Sequence, residues 1–503
     1  MANLAQLIAD GAARQPERPA FRLGEIVLDY AAMDEASARA AALLAERGVG
    51  VGDRVALSMP NLPYFPIVYY GALRLGAVVL PLNPLLKERE VAYHLSDAGA
   101  RLLLAWQGFA DAGRGGSEAA GAECLVVEPG RFEALLGAVE PARAVVERDP
   151  QDVAVLVYTS GTTGQPKGAE LTHANLLDAA RVAVELVHSG PESVVLGALP
   201  LFHVFGMCSG MNATMYAGGS MTLQPRFEAG EALQIIERDA VNILLGVPTM
   251  YTAMLHHPDH DARDTSTLDL CVSGGAALPV QILRSFEETF GCKILEGYGL
   301  TETCGMASFN RPDRERKPGS IGLPVDGAEM RLVDDDDHDV PLGEVGEILI
   351  RSPHVMRGYW GHPEATAEAM RGGWFHTGDL ARMDDGGYYF IVDRKKDLII
   401  RGGYNVYPRE VEEILYEHPA VRDAAVIGIP DESLGEEVAA VVTLRPGRTA
   451  TEDELIAFVK NNVAAYKYPR HVWIVDELPL GPTGKVLKRA LRIPEVRPAA
   501  AAD

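Results

Sequence analysis

Residues 158–168 carry the strongest chemical signal in the sequence. They read YTSGTTGQPKG and follow a short apolar run at residues 153–157. The three glycines allow the backbone to come close to an anion, while the hydroxyl groups and Lys167 offer hydrogen-bond donors and positive charge. The residue order differs from the Walker A order GxxxxGK[ST], and no GxGxxG opens a Rossmann unit. We therefore predict a polyphosphate-binding loop of a different type.

Seven further motifs accompany this loop. They are LFHVFG at 201–206, GVPT at 246–249, SGGA at 273–276, GYGLTE at 297–302, GWFHTGD at 373–379, DRKKD at 393–397 and PTGK at 482–485. Together the eight segments resemble the signatures of the adenylate-forming superfamily, which contains acyl-CoA synthetases, nonribosomal adenylation domains and firefly-type luciferases. They occur in the family's order over nearly the whole chain. The resemblance therefore implies an AMP-forming acyl-CoA synthetase, an acid–thiol ligase.

The same resemblance implies ATP, Mg²⁺ and, as a co-substrate, coenzyme A. The residues that it assigns to these ligands are Thr159, Ser160, Gly161, Thr162, Thr163, Gly164, Lys167, Gly274, Gly275, Ala276, Glu296, Gly297, Tyr298, Gly299, Asp379, Arg394, Gly402, Gly403 and Tyr404. Tyr298 offers a ring to adenine, and Asp379 and Arg394 are assigned to the ribose. The turn at residues 402–404 is assigned to the pantetheine arm of the acceptor.

Activation of a carboxylate requires one anion to attack another, so positive charge and aligned donors must offset the repulsion. By resemblance, Lys485, Thr301 and Glu302 are catalytic residues: Lys485 bridges the carboxylate and the phosphate, and Thr301 contacts the α-phosphate. Glu302 and Thr159 are assigned to Mg²⁺, for which oxygen ligands are suitable. Without the motifs, Lys485 reads as a solvated turn lysine and Asp379 as a turn aspartate.

The acyl pocket is assigned in the same way. Its residues are His203, which is also placed among the catalytic residues, Phe205, Val247, Gly275, Gly297 and Gly299. In relatives that use malonate, an arginine stands where this chain has Gly297, and a second carboxylate buried without a partner is costly. We therefore expect a medium- or long-chain fatty acid, with an aryl acid such as coumarate or benzoate as the alternative.

Two other readings remain open. A stand-alone adenylation enzyme would load a separate carrier protein, although no carrier domain follows in this sequence. A nucleotide-binding regulator would use the same fold without the chemistry. Lys485, Glu302 and Asp379 argue against the regulator.

Short apolar strands alternate with helical segments, which predicts an α/β fold with a large multi-sheet N-terminal domain over residues 1–394. Later in the chain the predicted helices and strands are shorter, with Pro408 at one helix start and a capping box of Thr451 with Glu454 at another. This pattern predicts a small α+β domain over residues 395–503. The resemblance makes this domain a mobile lid with its hinge at Lys396. The Ala- and Gly-rich stretch at 108–122 is expected to be a loose surface connection.

Composition excludes several classes of protein. The formal net charge of −24 argues against general nucleic-acid binding. Five scattered cysteines without a CxxC pair fit a reducing cytoplasm. No apolar run reaches the roughly 20 residues of a bilayer-spanning helix, so no integral membrane segment is expected. Peripheral membrane contact and oligomerisation stay open, and the expected partners are a carboxylic acid, ATP and CoA.

Overall fold

Strands and helices alternate through most of the chain, and the predicted α/β class is confirmed. A computed structural model describes residues 3–159, 165–395, 397–431, 433–481 and 485–491. The chain divides into a large unit, Met1–Leu278 with Ser285–Arg331 and Leu349–Thr377, and a small unit, Pro279–Arg284 with Leu332–Ile348 and Gly378–Asp503. The domain boundary expected between residues 394 and 395 stays a prediction, since contact density alone does not locate a hinge.

The strands are short, as expected for buried strands in α/β folds. They are β1 (Pro19–Leu23), β2 (Ile26–Asp29), β3 (Arg54–Ser58), β4 (Val78–Leu82), β5 (Leu102–Trp106), β6 (Glu123–Val127), β7 (Val153–Thr159), β8 (Lys167–Thr172), β9 (Val194–Gly197), β10 (Ser220–Leu223), β11 (Ile243–Gly246), β12 (Leu270–Ser273), β13 (Lys293–Tyr298), β14 (Ser308–Phe309), β15 (Leu323–Pro324), β16 (Glu329–Val333), β17 (Gly346–Arg351), β18 (Phe375–Met383), β19 (Tyr389–Arg394), β20 (Ile399–Arg401), β21 (Tyr404–Val406), β22 (Val421–Asp431), β23 (Gly435–Leu444) and β24 (His471–Ile474).

The helices connect and cover these strands. They are α1 (Gln6–Arg14), α2 (Tyr30–Glu46), α3 (Tyr64–Arg74), α4 (Glu88–Ala98), α5 (Ala110–Ala120), α6 (Arg131–Gly137), α7 (His173–Val187), α8 (Ala213–Ala217), α9 (Ala229–Asp239), α10 (Pro248–Leu255), α11 (Val280–Phe290), α12 (Pro363–Ala369), α13 (Pro408–Glu417) and α14 (Glu452–Asn462). Phe205–Asn212 forms a π-helix, and 3-10 turns cover Gln107–Phe109, Thr301–Thr303, Arg371–Gly373 and Lys488–Ala490.

A six-stranded sheet holds the predicted phosphate loop. Its order is β6-β5-β3-β4-β7-β8, and every neighbouring pair is parallel except β7 with β8. β4 is apolar along its length, β3 is apolar between Arg54 and Ser58, and both are almost wholly buried, as strands covered by helices on both faces are. The loop joins the antiparallel pair at the end of the sheet, with Thr159 opposite Lys167.

A nine-stranded sheet carries the next motifs, in the order β15-β14-β13-β12-β11-β9-β10-β1-β2. The strands from β13 through β1 run parallel, and β14, β15 and β2 add antiparallel pairs at the ends. GVPT, SGGA and GYGLTE leave the carboxyl ends of β11, β12 and β13. Because parallel strands end at the same edge of a sheet, the fold brings three motifs to the place where α/β proteins bind ligands.

A four-stranded sheet has the order β16-β17-β18-β19, and a five-stranded sheet of the small unit has β21-β20-β23-β22 with β24 beside β23. In the latter, α13 begins with Pro408 and α14 with the predicted capping box, in which the Glu454 amide donates to Thr451 Oγ1 at 3.2 Å. Val411, Leu415 and Leu455 from these helices lie in its buried core. The predicted α+β character of this part is confirmed.

The expectation of a loose connection at residues 108–122 is wrong, because most of this stretch forms α5. Its glycines allow close packing: a Cβ on Gly113 would stand 2.8 Å from the Ala105 Cβ, and one on Gly116 would stand 2.6 Å from the Val91 Cβ. Small residues therefore mark a tightly packed helix here. Among the described helices, none has both the length and the apolar character needed to span a bilayer.

Candidate active site

The phosphate loop begins and ends on well-anchored backbone. Thr159 closes β7, Lys167 opens β8, and Thr172 at the end of β8 caps α7 by accepting from the Asn175 amide at 3.1 Å. Asn175 Oδ1 accepts in return from the Thr172 amide at 2.9 Å. The predicted nucleotide residues Ser160, Gly161, Thr162, Thr163 and Gly164 lie outside the described residues, so their assignment stays a prediction.

Tyrosines from α4 and β7 anchor the segments on either side of the phosphate loop. The Tyr158 hydroxyl donates to Asp97 Oδ2 at 2.5 Å, and the Tyr93 hydroxyl donates to the Pro166 carbonyl at 2.7 Å. Burial, followed by the Asp97 carboxylate, raises the pKa of Tyr158, so the hydroxyl keeps its proton. A Cβ on Gly168 would stand 3.2 Å from the Tyr158 ring, so this position favours glycine. Sequence reasoning missed Tyr93 and Asp97, because their distant positions carry no local signal.

Glu302 lies in the Thr301–Thr303 turn that follows β13, and it is 8% exposed. Its Oε1 accepts from the Tyr359 hydroxyl at 2.9 Å, and its carbonyl accepts from the Met356 amide at 2.7 Å. The Lys167 Nζ stands 5.5 Å from the centre of the Tyr359 ring. Three segments that are far apart in sequence therefore meet at Tyr359, a residue that the motifs had not singled out.

The donor set around Glu302 suits Mg²⁺. Magnesium in nucleotide sites is commonly held by one or two carboxylates together with phosphates and water. Glu302 supplies one buried carboxylate, and β8, whose Lys167 is paired with Thr159, packs on the turn that carries it. The described residues contain no cluster of three or more His, Cys, Asp or Glu side chains of the kind that would form a cage for another metal.

The predicted residues at the ends of β12 and β13 are tightly packed. Glu296 is buried, and its Oε1 accepts from the Leu278 amide at 3.2 Å. Gly275 has φ of +81°, a left-handed conformation that favours glycine. A Cβ on Gly299 would overlap the backbone of Gly305. Gly275 and Ala276 are exposed and Tyr298 is partly exposed, whereas Gly274 is buried.

The large unit contains an apolar pocket of about 420 Å³, its mouth included, between α7, the π-helix and the nine-stranded sheet. Its lining residues are Ala183, Leu186, Val187, Ser189, Val195, Ser209, Ala213, Thr214, Ile243, Leu245, Val272, Met306 and Phe309. None of them is charged. The Ser209 hydroxyl donates to the Met306 sulfur at 3.5 Å, whereas the Thr214 hydroxyl donates to the Gly210 carbonyl at 2.8 Å.

The six residues predicted for the acyl pocket are not among those that line this cavity, although Gly297 lies against Phe309 of the lining. The Phe309 ring covers Gly297 so closely that any Cβ there would overlap it. The Phe205 ring lies 3.3 Å from where a Cβ of Gly274 would stand, and the Phe205 amide donates to His203 Nδ1 at 3.3 Å. Val247 follows Leu245 of the lining by two residues. Sequence reasoning missed the lining itself, because its apolar residues read simply as core.

In the small unit, three predicted residues lie close together. Asp379 is 5% exposed and stands opposite Arg394 in the β18–β19 ladder, with 3.2 Å between Asp379 Oδ1 and Arg394 Nε. Lys485 follows in a hairpin, where the Gly481 amide donates to its carbonyl at 2.6 Å. Burial and the Arg394 charge, partly opposed by Asp379, lower the pKa of Lys485 to about 8. The assignment of both Asp379 and Arg394 to the ribose implied that these two residues lie close together, whereas their separation in the sequence did not.

The predicted acceptor turn is a hairpin between β20 and β21. Gly402 and Gly403 have φ of +56° and +84°, and Tyr404 is 60% exposed with its ring 4.9 Å from that of Tyr466. The predicted hinge residue Lys396 lies outside the described residues.

Comparisons with known proteins agree with the motifs. Residues 8–360 match the AMP-binding enzyme family, and residues 410–485 match the AMP-binding enzyme C-terminal domain. The chain is 40% identical over 479 residues to a feruloyl-CoA synthase of an Amycolatopsis species, covering 95% of this chain and 96% of the relative. It is 36% identical over 525 residues to a long-chain-fatty-acid–CoA ligase of Bacillus subtilis, covering 97% and 94%. ATP-bound MatB from Rhodopseudomonas palustris superposes with a TM-score of 0.91 at 34% identity, covering 97% of each chain.

The resemblance inferred from the eight motifs is therefore confirmed over nearly the whole sequence. A relative whose structure contains ATP, together with relatives named as CoA ligases and synthases, supports binding of ATP and of a carboxylic acid. The chain belongs to the AMP-binding enzyme family and is an AMP-forming acid–CoA ligase.

Proposed function

We propose that this ligase activates a medium- or long-chain fatty acid as its acyl-adenylate and transfers the acyl group to CoA. The observation that carries the proposal is the apolar pocket beside β11, β12 and β14. No lining residue carries a charge. A second carboxylate in the acid would find no cationic partner among the lining residues, and burying an ion without one costs several kcal/mol. An aliphatic tail meets no such penalty.

The roles of the site residues follow from their chemistry. Lys485, when protonated, offsets the repulsion between the attacking carboxylate and the phosphate, and Asp379 accepts hydrogen bonds from ribose hydroxyls. Thr159 and Lys167 supply a donor and a charge to the phosphates. Glu302 and Thr159 would hold Mg²⁺, which supplies charge neutralisation on the phosphate oxygens when bound.

Contacts with CoA are proposed at the turn of residues 402–404, where Gly402 and Gly403 have no side chain and so allow a ligand to approach the backbone closely. The nearby basic residues already have partners. Arg401 pairs with Glu437, with 2.5 and 2.8 Å between nitrogen and oxygen atoms, and the Lys467 Nζ stands 2.7 Å from both oxygens of Glu410. Contact of either residue with a CoA phosphate would require exchange of an existing ion pair.

An aryl acid is the second candidate, and two observations favour it. One is the 40% identity to a feruloyl-CoA synthase. The other is Ser209, whose hydroxyl donates to a thioether sulfur, a weak acceptor that an oxygen substituent on an aromatic ring would readily replace. The choice between the two substrate classes therefore depends on whether Ser209 contacts the acid.

A panel of acids separates the candidates. Pyrophosphate release and CoA thioester formation should be measured with octanoate, palmitate, ferulate, benzoate and malonate. We expect the highest kcat/KM with an aliphatic acid, and a maximum with ferulate or malonate would contradict the proposal.

Ser209→Ala should leave kcat/KM for aliphatic acids within about twofold, since it removes one weak hydrogen bond. Thr214→Val is the matched control, because that hydroxyl is already bonded within the protein.

A further inference from the structure

Tyr359 contacts two side chains of opposite charge through two different parts of its own side chain. Its hydroxyl donates to Glu302 Oε1 at 2.9 Å. The Lys167 Nζ lies over the ring, 5.5 Å from the centre. Lys167 opens β8 immediately after the phosphate loop, and Glu302 lies in the turn after β13.

The backbone around Tyr359 is attached to β8. The Tyr359 amide donates to Thr366 Oγ1 at 2.9 Å, and the Trp360 amide donates to the Gly168 carbonyl at 2.8 Å. Tyr359 also forms an antiparallel bridge with Ala169. The backbone of Tyr359 is therefore hydrogen-bonded beside β8, the strand that contains Lys167. From this position the Tyr359 side chain contacts the Glu302 turn.

We propose that Tyr359 is a positioning residue for ATP binding: its hydroxyl orients the Glu302 carboxylate for Mg²⁺, and its ring supports the Lys167 ammonium beside the phosphates. The inference rests on the proposed roles of Glu302 and Lys167. It adds a residue that acts through both of them and that belongs to none of the eight motifs.

A tyrosine side chain can perform both functions, because its hydroxyl and its ring face make different contacts. A hydrogen bond from a neutral hydroxyl fixes one carboxylate oxygen without removing the negative charge that a divalent cation requires. A cation held over a ring face likewise keeps its charge, which a direct ion pair would offset. A phenylalanine would preserve the support for Lys167 and lose the bond to Glu302. An aliphatic residue would lose both.

This difference makes the two functions separable in a binding experiment without the acid. ATP affinity of the full chain should be measured by calorimetry in excess Mg²⁺ and again in EDTA. We expect Tyr359→Phe to weaken ATP binding about tenfold in Mg²⁺, the effect of losing one hydrogen bond to a charged group, and by less than about twofold in EDTA. Tyr359→Leu should also weaken binding in EDTA, by about two- to fivefold.

Two controls distinguish positioning from a general structural effect. Tyr64→Phe removes another hydroxyl that donates to a carboxylate, that of Glu133 at 2.5 Å, and should leave ATP affinity unchanged in both media. In a Glu302→Gln background, Tyr359→Phe should have no further effect in Mg²⁺, because the residue through which it acts is already altered.

The outcomes separate the possible errors. Equal losses in Mg²⁺ and EDTA for Tyr359→Phe, or an additive loss in the Glu302→Gln background, would overturn the positioning role. If the unaltered enzyme gains no ATP affinity from Mg²⁺, the assignment of Glu302 itself is wrong and the inference fails with it. If Mg²⁺ tightens ATP binding and Tyr359→Phe behaves like the unaltered enzyme, Glu302 keeps its role and Tyr359 alone is excluded.

Discussion

Lys485 offers the sharpest test of the proposed chemistry, because its charge should be lost between pH 7 and pH 9. Burial and the Arg394 charge lower its pKa to about 8. The protonated fraction is then about nine-tenths at pH 7 and about one-tenth at pH 9. If adenylation requires the ammonium, its rate should fall about tenfold between these two pH values. Lys485→Arg should have a low but nearly constant adenylation rate over the same range, because guanidinium stays protonated.

The same shift has a consequence for stability. An unfolded lysine has a pKa near 10.4, so between about pH 8 and pH 10 the unfolded chain binds more protons than the folded protein. Stability should therefore rise through this interval, and below about pH 8 the buried charge carries its full cost of about 3 kcal/mol. Lys485→Met should raise the free energy of unfolding at pH 7 by up to about that amount while abolishing adenylation.

The assay is single-turnover pyrophosphate release at saturating acid and MgATP from pH 6.5 to 9.5. Thioester formation from supplied acyl-adenylate is the control, since it should survive both substitutions and should not decline as the pH rises. An adenylation rate that stays constant to pH 9.5 would refute the reasoning, and so would a decline with the same midpoint in Lys485→Arg. Equal loss of both half-reactions in Lys485→Met would contradict the assigned role.

Two further predictions concern the large unit. Arg74 is 1% exposed and pairs with Asp34. Replacing Arg74 with Ala should lower the free energy of unfolding by about 3 to 5 kcal/mol, because it leaves the carboxylate without its partner. Urea denaturation is the measurement, and Arg351→Ala at an exposed ion pair should cost less than about 1 kcal/mol; comparable losses would contradict the argument. Gly297→Ala should raise KM for the acid because the new Cβ overlaps the Phe309 ring, and an unchanged KM would show that this ring does not border the acid.

Local patterns in the sequence predict much of the secondary structure. The apolar run at 153–157 lies in β7, Pro408 begins α13, and Thr451 caps α14, because each depends on residues within one turn or strand. The resemblance to a family identified the motif residues and the order in which they occur. The same reasoning failed at α5, since alanine and glycine are weak local signals whose meaning comes from Ala105 and Val91 across the interface.

The residues that support the site could not be predicted from the sequence, for the same physical reason. Asp97 contacts a tyrosine 61 positions away, and Tyr359 contacts a glutamate 57 positions away. The lining of the apolar pocket consists of ordinary apolar residues whose pattern does not differ from core packing. Only the three-dimensional arrangement distinguishes a residue that faces a cavity from one that fills the interior.

The π-helix of Phe205–Asn212 contributes Ser209 to the lining of the apolar pocket. Each of its hydrogen-bonded turns contains one residue more than an α-helical turn. Deleting one residue within it would leave enough chain to wind as an α-helix into α8, while changing which side chains face α7 and the sheet. Ser209 would then exchange its place with a neighbour. If this pocket binds the acid, as proposed, acid preference is open to change through a single-codon deletion as well as through substitution.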